Sequence, residues 1–335
     1  MIIHTRVHAR AGLLGNPSDM YGGKVISFLI RDFSARVRLW ESPHLTFRLH
    51  PQHDRTEFAD LSDFVTYVAR HGYYGMQRVL FATCRRFADY CHQRAIPLRK
   101  ANFTLEYETD IPRQFGLGGS SAMVIAALQA LLRFYRLQPR ALPRAELAQL
   151  ALSVETQELG IAAGLQDRVV QCYGGLTYMD FSGPRPHYQR LNSRWLPRFG
   201  LAYPSEEHIG SLESGRVHAP LRQRWNQGDR EVKRVMAQIA RCAEEGREAL
   251  GRRDAERLGR LMDRNFDLRR RLYPDTDAEV HNIKLVETAR NLGFPAKLPG
   301  SGGAALILLE GRAPARSLAE AYAKQGYHYL TIKAV

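Results

Sequence analysis

Between Asn102 and Ile111 the residues Phe103, Leu105 and Tyr107 alternate with polar positions, the period-two pattern of a half-buried strand. Earlier runs over residues 24–30, 35–40 and 45–50 carry β-branched and aromatic side chains between turn signals and predict further strands. From about Ser120 to Tyr135 the chain is apolar nearly all round, which predicts a buried helix. A second helix is expected over residues 143–159, with Pro143 near its first turn and Gly160 just past its end. A strand should follow Gly174 and Gly175. Near residue 183 the text turns to SGPRPHYQRLNSRW, rich in proline and polar residues, and this predicts a boundary. Beyond it come a strand at GLAYP, charged helices from about Leu221 to Leu272 and a helix over 277–293. The strand AALILLE, a last helix and a last strand close the chain. The 335 residues exceed the usual span of one hydrophobic core. The expected class is α+β in two domains, residues 1–190 and 191–335.

Composition narrows the class without changing the picture. With 44% hydrophobic and 24% charged residues the chain reads as an ordinary folded protein. No run reaches the roughly 18 to 20 apolar residues of a membrane span. The segment MIIHTRVHARAGLLG lacks a signal-type apolar region, so a cytoplasmic protein without a membrane partner is expected. Cys84, Cys91, Cys172 and Cys242 show no CxxC spacing, and the twelve histidines no HExxH, so neither zinc nor a disulfide framework is indicated. A net charge of +14 invites a nucleic-acid partner. Only seven of the 48 basic residues are lysine, however, and the arginines are scattered among acids, so no nucleic-acid partner is expected. A positive field still attracts small anions.

Candidate chemistry begins at the start of the buried helix. The first N–H groups of a helix lack internal partners and sit at the positive end of its dipole, which makes an anion site. Gly116, Gly118 and Gly119 would let the backbone approach a phosphate, and Ser120 and Ser121 add hydroxyls. The same residues also suit a plain N-cap after a tight turn. Neither the Walker A pattern nor GxGxxG is present. Phosphoryl transfer also needs separated carboxylates, and ETQELGIAAGLQD supplies Glu155 and Asp167, with Glu158 as a rival to the former.

The stretch PRQFGLGGSSA, from Pro112, resembles the second motif of the GHMP kinases, with one additional glycine. RAGLLGNPSDMYGG, from Arg10, is similar to their first motif, and AKLPGSGGAALIL, from Ala296, to their third. The resemblance implies an N-terminal domain with a left-handed β-α-β unit and a C-terminal ferredoxin-like α/β sandwich. It implies ATP and Mg2+, with Gly116, Gly118, Gly119, Ser120, Ser121, Gly300, Ser301 and Gly302 about the phosphates. Ser121 and Glu155 would hold the metal, Asp167 would be the catalytic base with Arg10 beside it, and Asp19 would bind the sugar. Asn16 and Pro17 stand where galactokinases carry glutamate and histidine, which argues against galactose.

In wording the chain resembles the glucuronokinase subgroup, which phosphorylates the anomeric hydroxyl of D-glucuronate. A uronate carboxylate calls for a guanidinium. Arg113 and Arg168 are the first candidates, and Lys24, Arg216 and Arg269 are alternatives. Trp40, Tyr73 and Phe81 are possible adenine neighbours, each also suited to the core. The rival readings are a kinase for another small alcohol (a neutral hexose, a heptose phosphate or mevalonate) and a catalytically silent sensor of ATP or sugar.

Overall fold

The computed structural model describes residues 2–51, 54–71, 75–205, 214–273, 276–310 and 315–335. Two compact units are present, and neither is continuous in sequence. The first comprises the chain up to His8, Phe33–Ile111 and Gly119–Ile161. The second comprises Ala9–Asp32, Pro112–Gly118 and Ala162–Val335. Two long strands, β1 (Ile2–Leu14) and β2 (Lys24–Ser42), contribute to both.

In the first unit the far half of β2 pairs antiparallel with β4 (Asn102–Thr109), Ala35 opposite Thr109. The short β3 (Thr46–Phe47) runs parallel to β4. Parallel neighbours need a crossover, and this one carries α1 (Leu61–His71) and α2 (Gln77–Gln93). α3 (Gly119–Phe134) is the mostly apolar helix expected there, with Met123, Val124, Ile125 and Leu128 fully enclosed. Thr5 Oγ1 donates to Ala126 O at 2.8 Å and ties β1 to it. α4 (Arg144–Ser153) continues as a single π turn, Val154–Glu158.

In the second unit the near half of β2 pairs antiparallel with β5 (Leu176–Asp180), which follows α5 (Gln166–Tyr173). β5 pairs in turn with β6 (His187–Leu191). The proline-rich segment read as a boundary thus holds the second arm of a hairpin, because its prolines fall in the turn and leave His187–Leu191 free to pair. A second sheet contains β7 (Phe199–Pro204), β8 (Ala296–Lys297), β9 (Ala305–Leu308) and β10 (Tyr327–Ile332) in the order β10-β7-β9-β8, all antiparallel. Between β7 and β8 lie α6 (Ser214–Asn226), α7 (Arg230–Arg252), α8 (Ala255–Arg270) and α9 (Asp277–Arg290). α10 (Ala315–Ala323) connects β9 to β10. That order and antiparallel pairing make the sheet ferredoxin-like. Phe266, Leu285, Val286, Phe294, Ile307 and Tyr322 form its core.

β1 carries no strand expectation above. Its inward set, Ile3, Thr5, Val7 and Ala9, alternates with His4, Arg6 and His8, but threonine and alanine dilute the apolar signal. The run at 45–50 shrinks to the two residues of β3, and the runs at 24–30 and 35–40 are one continuous strand. α7 crosses the end of β1 so closely that a Cβ on Gly246 would lie 2.1 Å from Leu14 Cδ1.

Candidate active site

The end of β1 is hydrogen-bonded to both glycine-rich loops of its unit. Arg10 N donates to Leu117 O at 3.0 Å, and Gly12 N donates to Pro299 O at 2.8 Å. The two loops meet backbone to backbone. Gly116 has φ +62°, and a Cβ there would lie 2.9 Å from Ser301 N. A Cβ on Gly300 would lie 2.1 Å from Gly116 O. Side chains are excluded at both positions, and the contact is the physical reason for glycine in each motif.

Arg10, only 4% exposed, gathers the parts. Its Nε and Nη2 donate to Asp167 Oδ1 and Oδ2 at 2.6 and 2.8 Å, a bidentate pair. Its Nη1 donates to Gly116 O at 2.5 Å and Pro299 O at 2.9 Å. One guanidinium therefore joins a carboxylate to a carbonyl of each loop. Gly118 leaves room for it, since a Cβ there would lie 3.0 Å from Arg10 Cγ. Asp167 stands in the first turn of α5 with a side chain 15% exposed.

Asp19 lies in the 3-10 turn Ser18–Tyr21, buried. It accepts hydrogen bonds from Gln166 N at 3.3 Å and Gln166 Nε2 at 3.2 Å, and Ser27 Oγ donates to the amide oxygen of Gln166 at 3.2 Å. Burial pushes its carboxyl up to about 7, Asp167 adds to the rise, and Gln166 and Arg10 oppose it. Gly164 leaves room for this carboxylate, since a Cβ there would fall 2.0 Å from Asp19 Oδ2.

The cations named from sequence separate clearly. Arg168 is buried, donates from Nη1 to Gly164 O at 2.8 Å and lies 3.7 Å from Asp167 Oδ2. Burial, with Arg10 nearby, pulls its pKa down to about 9. Arg113 is half-buried and makes no hydrogen bond or ion pair among the described residues. Lys24 is engaged by Glu244 at 2.7 Å and Asp180 at 3.7 Å. Arg269 is buried against Glu279 and donates to Ser301 O at 3.1 Å, so it shapes the third loop. The side chain of Arg216 and all of Tyr73 lie outside the described residues.

In the first unit Ser121 is buried in the opening turn of α3, beside Ser120 and the helix's first residue, Gly119. Glu155 is buried within the π turn, a local irregularity that often marks functional positions. Glu158 is more open and pairs with Arg85 at 3.5 Å. Phe81 is 47% exposed and packs edge-on against Phe47, with centroids 4.6 Å apart. Trp40 carries Arg48 over its ring at 5.2 Å.

Several residues escaped the sequence reading. Lys297, buried, donates to Gly12 O at 3.0 Å, Asn16 Oδ1 at 2.6 Å and Leu298 O at 2.7 Å, clamping the first motif to the third. Asn265 completes the clamp, accepting from Gly15 N at 2.7 Å and donating to Asn16 O at 3.2 Å. Asn282 holds Gly302–Gly303 in place, accepting from Gly303 N at 2.7 Å. A lone lysine within an otherwise apolar stretch was the available signal for Lys297.

Comparison with known proteins gives the same family. Residues 79–175 match the model of the GHMP kinases N terminal domain, and residues 247–328 match that of the GHMP kinases C terminal. The chain is 43% identical to "Probable glucuronokinase 2" of Arabidopsis thaliana over 100% of its length and 92% of that protein. It is 43% identical to "Glucuronokinase 1" of the same plant over 99% of its length and 92% of that protein. Among solved structures, Lactococcus lactis galactokinase complexed with galactose aligns over 99% of this chain and 93% of that one, with TM-score 0.73 at 15% identity. The Methanococcus jannaschii mevalonate kinase aligns over 100% and 98%, with TM-score 0.68 at 20% identity. The chain belongs to the GHMP kinases.

Proposed function

We propose that the protein transfers the γ-phosphoryl group of ATP to the anomeric hydroxyl of D-glucuronate, giving the 1-phosphate. The observation that carries this reading is the Arg10 guanidinium, which links the Asp167 carboxylate to Gly116 O and Pro299 O of the two glycine-rich loops. A candidate base is thereby held at a fixed place relative to loops suited to phosphate. The 43% identity to two glucuronokinases over nearly the whole chain supports the choice of substrate.

Asp167 then receives the hydroxyl proton or aligns the hydroxyl for attack. Each of its oxygens keeps a free lone-pair direction after bonding Arg10. Asp19 accepts hydrogen bonds from sugar hydroxyls, and Arg113 and Arg168 supply positive charge to the substrate. Backbone N–H groups of Gly116, Gly118, Gly119, Gly300 and Gly302, with the Ser120 and Ser301 hydroxyls, hold the phosphates. Positioning and fixed dipoles carry most of the rate in such transfers. Ser121 and Glu155 are the proposed magnesium ligands. Both are buried hard oxygen donors, and magnesium takes only one or two protein groups when phosphates and waters complete its shell. When bound, the ion neutralises charge on the triphosphate.

ADP release with ATP, magnesium and a panel of glucuronate, galacturonate, glucose, galactose and mevalonate tests the reading. Turnover is expected on glucuronate, and turnover on a neutral sugar with glucuronate inert would overturn the substrate. Asp167→Asn keeps the shape and removes the base; kcat should fall by about 10²- to 10⁴-fold with ATP binding retained. Near-normal turnover of that variant would exclude the assigned role.

A further inference from the structure

The turn that carries Asp19 is flanked by α6, an element that no motif marks. Arg222, half-buried on that helix, donates from Nη1 to Met20 O at 2.8 Å. Its guanidinium carbon lies 5.6 Å from the centroid of the Tyr21 ring. Trp225, one turn further on, packs on the same ring with centroids 4.9 Å apart. Only one of the five donor hydrogens of Arg222 is thus accounted for, and its Nε and Nη2 make no hydrogen bond or ion pair among the described residues. The Tyr21 hydroxyl is also buried without a hydrogen-bond partner among the described residues. Buried hydroxyls ordinarily find a partner, and one left open beside a guanidinium suits a ligand oxygen.

The surroundings fit an anion, since Arg269, Arg10 and Arg222 all lie within electrostatic reach of the neighbouring His218. His218, one turn before Arg222, gives its Nδ1 to a 2.7 Å hydrogen bond with the Tyr273 hydroxyl. Burial, with Arg269 nearby, drives its pKa down to about 3, so it is a neutral imidazole. Asp19 is the acid of this turn, and Arg10 lies within electrostatic reach of it.

The other named cations are engaged elsewhere or make no bond to this turn. Lys24 and Arg269 are committed to acids, and Arg168 is spent in part on Gly164 O. Arg113 is uncommitted, but it makes no hydrogen bond or ion pair with the Asp19 turn among the described residues.

We propose that Arg222 and the Tyr21 hydroxyl form the subsite that reads the carboxylate of the sugar acid, while Asp19 takes its hydroxyls. This rests on the sugar-acid kinase reading. The guanidinium offers the fork that a carboxylate matches, and its contact with the Tyr21 ring helps hold it in place.

The test compares glucuronate with glucuronamide, which keeps the ring and replaces the carboxylate by a neutral amide. Steady-state constants are measured for both, and where the amide is not turned over, dissociation constants from calorimetry give the same ratio. In Arg222→Gln the preference for glucuronate should fall by about 30-fold or more, with the amide and the KM for ATP changed less than about threefold. Tyr21→Phe, which preserves the ring packing, should lower the preference by about fivefold. Equal losses on both sugars in Arg222→Gln would mean that the residue only supports the turn, and would overturn the subsite. So would an intact preference in Arg222→Gln together with a collapsed one in Arg113→Gln. If the Gln variant melts below assay temperature, Tyr21→Phe and Arg222→Lys decide, since unchanged preference in both would also overturn the proposal. Wild-type protein inert toward glucuronate would remove the sugar-acid reading itself, and the subsite with it.

Discussion

The acid at position 19 shows how one buried side chain sets a pH dependence. Its carboxyl titrates at about 7 because burial, reinforced by Asp167, penalises the charge that Gln166 and Arg10 only partly compensate. That value lies above the 3.8 of the ordinary group, so the protonated form favours the fold. The contribution is fully present below about pH 4 and is lost as pH rises through about 7. Substrate should act in the opposite direction, because sugar hydroxyls need an acceptor and the ionised carboxylate is the better one. The expected outcome is a KM for sugar that falls as pH rises from 6 to 8, by up to about tenfold per unit below the pKa. In parallel the melting temperature of the free protein should decline, and Asp19→Asn should flatten both slopes relative to wild type. A KM profile in Asp19→Asn that still follows the wild-type curve would place the titration elsewhere. At this scale much was readable: Arg10, Asp19 and Asp167 are pointed out by motif, and the structure gathers the three. Lys297 and Arg222 were not readable, since each acts by reaching a backbone carbonyl far away in sequence, and residue type alone does not record that.

Elements explain why the glycine motifs were legible while β1 and β6 were not. A loop in which backbone touches backbone tolerates almost no other residue, so Gly116 and Gly300 leave a sharp mark in the text. A strand tolerates many residues, and β1 spends its inward positions on threonine and alanine as well as isoleucine and valine. The helices were easy where burial was complete, as in α3, and the one over 143–159 has the expected extent but ends in a π turn that the pattern does not mark. The close approach of the two loops also gives a sharp expectation. In Gly300→Ala the new methyl group would meet Gly116 O at 2.1 Å, and backbone cannot step aside as a flexible side chain does. Separation of the loops should break the shared anchorage on Arg10 Nη1, costing about 2–4 kcal/mol of stability. Denaturant unfolding would measure it, and a midpoint within error of wild type would show that the loops yield without cost. Gly251 is the control, since a Cβ there meets nothing within 4 Å.

At the scale of the whole chain the excess of 48 basic over 34 acidic residues finds a use that neither nucleic acid nor membrane needs to supply. No helix among the described residues is long and apolar enough to cross a membrane. Many of the arginines sit in surface ion pairs, such as Arg36 with Asp110 and Arg260 with Glu256, whose individual worth is small. What remains after pairing is a net field of +14, and both proposed substrates are anions. Such a field concentrates ATP and a uronate near the protein and is weakened by salt. Raising monovalent salt from about 0.01 to about 0.1 M shortens the screening length from about 30 to about 10 Å. Over that range kcat/KM for glucuronate should fall severalfold while kcat stays level, because the field acts on encounter and binding and not on the aligned complex. The neutral amide should show little of the effect when ATP is saturating. Matching salt curves for the two sugars would mean that the charge of the chain plays no part in gathering its acceptor, leaving recognition to contacts inside the site alone.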